Sequence, residues 1–230
     1  MNPQGGGPIE GIKQITKVLN DHGYATEIAC LDDPKAPWLS DSLYKIHALG
    51  PSILSYGYSY RFVSWVKESA PSFDCVIVHG LWQFSSFGTW LALRNSNVPY
   101  FVHPHGMLDP WFNQRYPLKH LKKNLYWSWA EYRVLRDARA VLFTCEEERI
   151  LACQSFWPYK CNEMVVNYGI AAPNGDTEKQ KNAFFDRFLS LTGKRLLLFL
   201  GRIHPKKGCD LLIEAFAKVM KSESTLTPAL

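Results

Sequence analysis

DCVIVH, residues 74–79, decides the fold class. Cys75, Val76, Ile77 and Val78 form an unbroken apolar run between Asp74 and His79. A strand with water on one face alternates apolar and polar side chains, so such a run fits a parallel strand covered on both faces. Toward the N-terminus, Ile9, Ile12, Ile15 and Leu19 fall at helical spacing and Gly23 follows as a helix stop. A strand over 24–30, a polar Pro-bearing stretch, a short strand over 45–49 and a helix over 58–69 complete that side. Toward the C-terminus the spacing predicts a helix over 86–96, a strand over 100–103, a long helix over 118–136 and a strand over 140–144. Thr144 and Glu147 have the spacing of a capping box that opens the next helix, and a last short strand covers 164–167. This alternation predicts an α/β fold, an open parallel sheet with helices on both faces.

Beyond residue 170 the pattern changes. Pro173, Asn174, Gly175 and Asp176 make a turn, and the charged segment after it reads as a linker, 171–193, with a short helix. A new unit, 194–230, opens with a strand over 195–200 (RLLLFL) and a helix over 210–220, then runs into the polar tail SESTLTPAL. A strand that apolar calls for neighbours on both sides, and none follow. At the front, Gly5, Gly6 and Gly7 read as a strand-to-helix loop, yet the strand that would precede them is missing. The expectation is a first domain over 1–170 without its first strand, joined to an incomplete second one.

Composition narrows the partners. Apolar residues make up 47% of the chain and charged ones 20%, a globular balance. The net charge of +5 suits an anionic ligand or an acidic membrane surface and falls far short of a nucleic-acid-binding footprint. Cys30, Cys75, Cys145, Cys153, Cys161 and Cys209 form no C-x-x-C pair, so neither a zinc site nor a disulfide framework is indicated. Cys75 and Cys145 are expected to act as small hydrophobes in or beside strands. The sequence has no signal peptide and no apolar run as long as a membrane span, so a cytoplasmic location is expected, with the inner face of the membrane as a further place of action.

Four segments carry chemistry. Pro3-Gln4-Gly5-Gly6-Gly7-Pro8 opens a helix, where glycines let backbone amides approach a phosphate or sugar; a plain flexible turn has the same composition. It is not G-x-G-x-x-G, which disfavours a nicotinamide site. His103-Pro104-His105-Gly106-Met107 follows a predicted strand at the edge where open α/β sheets place ligands. Gly106 allows a sharp turn that leaves the His105 imidazole at the crevice. Two histidines without a third ligand nearby argue against a metal. His79-Gly80-Leu81-Trp82 repeats the strand-His-Gly pattern, with His79 read as structural. Gly201-Arg202-Ile203-His204-Pro205-Lys206-Lys207-Gly208 sets cations between a strand and a helix, the pattern of a diphosphate clamp or of a solvated basic turn. In the long helix, Leu118, Leu121, Leu125, Tyr132 and Leu135 line one side, with Lys119, Lys122, Lys123, Arg133 and Arg136 elsewhere. It reads as an amphipathic helix packed on its own sheet; the alternative, drawn from Tyr126, Trp127 and Trp129, is a membrane interface or a lipid-linked acceptor.

GGGPIEGIKQITKVLNDHGY, DCVIVHGLW, PYFVHPHGMLDPW, NYGI and LLLFLGRIHPKKGCDLLIEAFAKV, in that order, resemble the retaining, GT-B-fold glycosyltransferases of family 4, also called group 1. The resemblance implies two Rossmann-like domains facing a cleft, the acceptor mostly on the first and the nucleotide-sugar on the second. It implies transfer of a hexose-type sugar with retention to a glycan or lipid-linked acceptor, with no cofactor or bound metal and the nucleotide-diphosphate sugar as substrate. By it, Gly6 and Gly7 border donor phosphate and acceptor, His105 lies against the transferred sugar, and Arg202 and Lys207 grip the donor diphosphate. Peripheral membrane contact is expected among the partners, and nucleic acid is not. The family's paired donor-binding glutamates have no counterpart after Lys207, since Glu214 and Glu223 have the wrong spacing. The chain alone is therefore expected to turn over no nucleotide sugar. The rival expectation is a non-catalytic remnant, or half of a split enzyme, acting as a binding module.

Overall fold

The computed structural model describes residues 1–40, 44–167, 169 and 175–222. The Tyr168 position of the NYGI run, the 173–174 part of the predicted turn and the tail beyond Ser222 lie outside the described residues. The chain divides into two compact units, Met1–Ala171 and Ala172–Leu230.

In the first unit, helix α1 (Gly7–Asp21) leads to strand β1 (Ile28–Cys30), which pairs in parallel with β2 (Ile46–Ala48). Helix α2 (Tyr60–Ser69) then leads into a four-stranded parallel sheet of β3 (Val76–His79), β4 (Tyr100–His103), β5 (Ala140–Phe143) and β6 (Glu163–Val165). The connecting helices are α3 (Phe84–Leu93), then α4 (Trp111–Arg115), α5 (Pro117–Tyr126) and α6 (Tyr132–Asp137), and finally α7 (Glu146–Ala152). Strand order follows chain order, so each crossover moves to the next position in the sheet. All four residues of β5 are buried, as a strand with both faces covered requires.

Val102, Val141, Phe143, Trp127 and Val134 are wholly buried and define the core. Helices α2 and α3 meet at Gly88, where an added Cβ would stand 2.8 Å from the Phe62 ring. Only glycine permits that approach.

Several expectations need correction. The helix expected over 118–136 is interrupted by a π-helical turn, Trp127–Glu131, between α5 and α6. Its one extra residue per turn rotates the two halves relative to each other. The capping pair at α7 is Thr144 with Glu148, not Glu147: the Thr144 N–H and Oγ1 donate to Glu148 Oε2 at 2.8 and 2.6 Å. Cys75 and Cys145 are exposed rather than packed. Of the expected apolar face, Leu135 and Tyr132 pack on the core, whereas Leu118, Leu121 and Leu125 of α5 face solvent. The physical reason is that the inward side of α5 is occupied by His120, Lys123 and Asn124, all half-buried.

The second unit contains α8 (Thr177–Arg187) and α9 (Cys209–Ser222). The Asp176 side chain caps α8 by accepting from the Glu178 and Lys179 N–H groups. Residues 195–200 are not a strand. A strand is held by its ladder, and no partner strand pairs with this segment among the described residues. Leu196, Leu197, Leu198 and Leu200 are accordingly exposed.

Candidate functional site

β3 and β4 run parallel and in register, so His79 and His103 stand side by side at the same sheet edge. His105, two residues beyond β4, has φ 52°, a left-handed conformation that the chain holds through the turn into Gly106, φ 71°. That conformation folds its imidazole back onto the other two. The three rings stack pairwise, with centroids 5.3 to 5.4 Å apart and planes within 19°. His79 Nδ1 and His105 Nε2 lie 3.1 Å apart, sharing a proton whose position depends on the tautomers. His79, expected to be structural, is thus a direct partner of His105. The signal in the sequence was the repeated strand-His-Gly pattern.

Burial and the neighbouring imidazoles push His79 down to about 3. Burial and His103 push His105 down to about 4, against the opposing pull of Glu148. Burial also lowers His103. Three stacked imidazolium ions would repel each other in a poorly hydrated site, so the cluster is neutral at pH 7. No group of three or more His, Cys, Asp or Glu among the described residues is arranged to hold a metal.

The loops around the cluster are tied by two carboxylates. Glu148 Oε1 accepts from the Gly106 N–H at 2.6 Å, while its other oxygen holds Thr144, so α7 joins the loops after β4 and β5. Glu131, in the π turn, accepts from the Trp82 N–H at 2.7 Å through Oε1, which also lies 2.7 Å from Ser86 Oγ. Trp82 has φ 70°, and the Glu131 bond holds that conformation. Glu131 is wholly buried, its Oε2 has no hydrogen-bond partner among the described residues, and burial pushes its carboxyl up to about 7. The Leu81 N–H points to Met107 Sδ at 3.2 Å, and Gly80, φ 91°, leaves room for the same side chain. Sequence reasoning missed Glu131 and Glu148, because neither stands near the histidines in the chain.

The other predicted residues sit elsewhere. Gly6, φ 69°, is the N-cap of α1 and Gly7 its first residue; both are exposed with open space where a Cβ would be. The ion pair of the Met1 amino group with Asp32 puts this segment by the end of β1. Arg202 and Lys207 belong to the second unit and are exposed. There the His204 carbonyl accepts from the Lys207 N–H at 2.8 Å, and Gly208, φ 64°, turns the chain into α9.

No curated protein and no solved structure matches the chain. The family described as "Glycosyl transferase 4-like domain" matches residues 6–162, more than half of the chain and nearly all of the first unit. That span contains Gly6 and Gly7 of the glycine loop, all three stacked histidines and both tethering carboxylates. The chain belongs to the glycosyl transferase 4-like domain family.

Proposed function

We propose that the protein serves transfer of a hexose-type sugar from a nucleotide-diphosphate sugar to a glycan or lipid-linked acceptor, with retention of configuration. The observation that carries this reading is the half-buried His105, stacked with His79 and His103 and held neutral, at the carboxyl edge of a parallel sheet within a chain of this family. Positive charge develops on a sugar as its anomeric bond breaks. A neutral imidazole can hydrogen-bond the sugar without repelling that charge, whereas an imidazolium would oppose it. In this reading His79 orients His105, Gly6 and Gly7 border the phosphate and acceptor, and Arg202 and Lys207 take the leaving diphosphate. Neither a cofactor nor a metal is part of the proposal.

A second reading is supported by the exposed leucines of 196–200, which pair with no strand among the described residues of the second unit. Here the chain is the acceptor-binding half of a transferase completed by another polypeptide. Incubation with radiolabelled nucleotide sugars and with glycan or lipid-linked acceptors separates the two. Transfer that falls about a hundredfold or more in His105→Ala supports the first. Saturable acceptor binding without transfer supports the second. Neither transfer nor binding with any acceptor would refute both.

A further inference from the structure

Helix α5 is built inside out. At 100° per residue Leu118, Leu121 and Leu125 share one face, the arrangement that ordinarily marks the buried side of a helix. Here they are 84, 61 and 70% exposed, and Trp129 in the following turn is 51% exposed. The polar residues point inward: Lys123 Nζ sits 4.4 Å above the Trp82 ring, and the His120 ring lies 4.9 Å from Phe156. Core packing is thus satisfied by the polar side, which leaves the leucines without a partner in the unit. Beside the helix, a groove of about 580 Å³ runs between Asn124 and Trp157, a second aromatic at 86% exposure.

The charge around this apolar face is of one sign. Between residues 110 and 130 the chain carries Arg115, Lys119, Lys122, Lys123 and Arg-free aromatic turns thereafter, with no Asp or Glu. Arg115, Lys119 and Lys122 are exposed. An isologous contact with a second copy would set these cations against their own symmetry mates with no acid to pair them. A surface that is both apolar and anionic satisfies leucines and cations together, with tryptophans at the boundary between acyl chains and headgroups.

We propose that the face formed by Leu118, Leu121, Leu125 and Trp129, with Lys119 and Lys122, docks the protein on an anionic lipid bilayer. The leucines enter the acyl boundary, and the two lysines extend to lipid phosphates. This docking is independent of the sugar-transfer reading.

Co-sedimentation of the full chain with vesicles tests it. The chain binds vesicles of phosphatidylcholine with phosphatidylglycerol, binds phosphatidylcholine alone weakly, and is released by raised ionic strength. Lys119→Gln with Lys122→Gln lowers the partition coefficient roughly 30-fold, from the attraction of each lysine to an anionic surface. Leu118→Ser, Leu121→Ser and Leu125→Ser together lower it by about a hundredfold or more. All these side chains face water, so thermal melts of both variants match the parent. Leu196→Ser with Leu197→Ser and Leu198→Ser, in the other unit, leaves binding unchanged. The proposal is overturned if the parent fails to bind anionic vesicles at low ionic strength. It is equally overturned if the 196–198 variant rather than the α5 variants loses binding, or if the leucine variant instead abolishes a dimer of a chain that ignores vesicles.

Discussion

His79 and His105 owe their properties to one another and to burial. Both are held neutral well below the ordinary histidine value of 6.5, to about 3 and about 4. In the unfolded chain they protonate near 6.5, so the unfolded state binds more protons in the interval between. Stability is full above 6.5 and is lost as pH falls through that interval. Glu131 has the opposite sign. Its carboxyl, raised from 4.5 to about 7, binds a proton more tightly in the folded state. Its contribution is present below 4.5 and is lost as pH rises toward 7. Imidazole NMR signals titrated against pH check the histidines: His79 and His105 should stay neutral until far below pH 6.5. Glu131→Ala removes an acceptor from the buried Trp82 N–H and from Ser86, and should cost about 2–4 kcal/mol in chemical denaturation. Glu131→Gln, which keeps an acceptor but cannot ionise, should remove the loss on the alkaline side.

At the scale of elements, two close approaches depend on glycine. Gly88 brings α3 against the Phe62 and Phe84 rings, where an added methyl would stand 2.8 Å from Phe62 Cδ1. Alanine is the better helix former, but the buried Phe62 ring must move. Gly88→Ala should therefore destabilise by about 1–3 kcal/mol in equilibrium denaturation. Gly80 combines φ 91° with a Cβ position 3.3 Å from Met107 Cε. Gly80→Ala should cost about 1–2 kcal/mol from backbone strain, and should perturb the NMR shifts of the neighbouring histidine rings, which a remote strain would leave unmoved. The π turn matters at the same scale. It carries Glu131 inward beneath Trp82 and leaves Trp129 outward in line with the α5 leucines.

For the molecule as a whole, the two units differ in how their apolar residues are used. The first has a continuous core around β4, β5 and the π turn. In the second, Leu197, Leu198, Leu200, Leu211 and Ile213 are all at least 60% exposed. Amide hydrogen exchange should find β4 and β5 slowest, with residues 195–200 exchanging near the unprotected rate because no ladder holds them among the described residues. Slow exchange at 195–200 would mean a partner strand is present. No described helix is long and apolar enough to cross a membrane.

The sequence by itself determined the parallel α/β plan, because apolar runs alternate with segments of helical spacing along the chain; it did not determine burial, since the 74–79 run, expected to be covered on both faces, forms an edge strand that leaves Ile77 exposed. It also placed His105 after a strand and before a glycine turn, where the structure has it. The tertiary structure alone decided what His105 touches, which carboxylates tie its loops, and which way α5 turns. Those outcomes depend on contacts between residues distant in the chain: Glu131 is 49 positions from Trp82, and Glu148 is 42 from Gly106. Periodicity tells which residues share a face of a helix, but not which face the rest of the protein covers. In α5 the aromatic pockets of Trp82 and Phe156 take Lys123 and His120 inward, and the leucines are left to the outside.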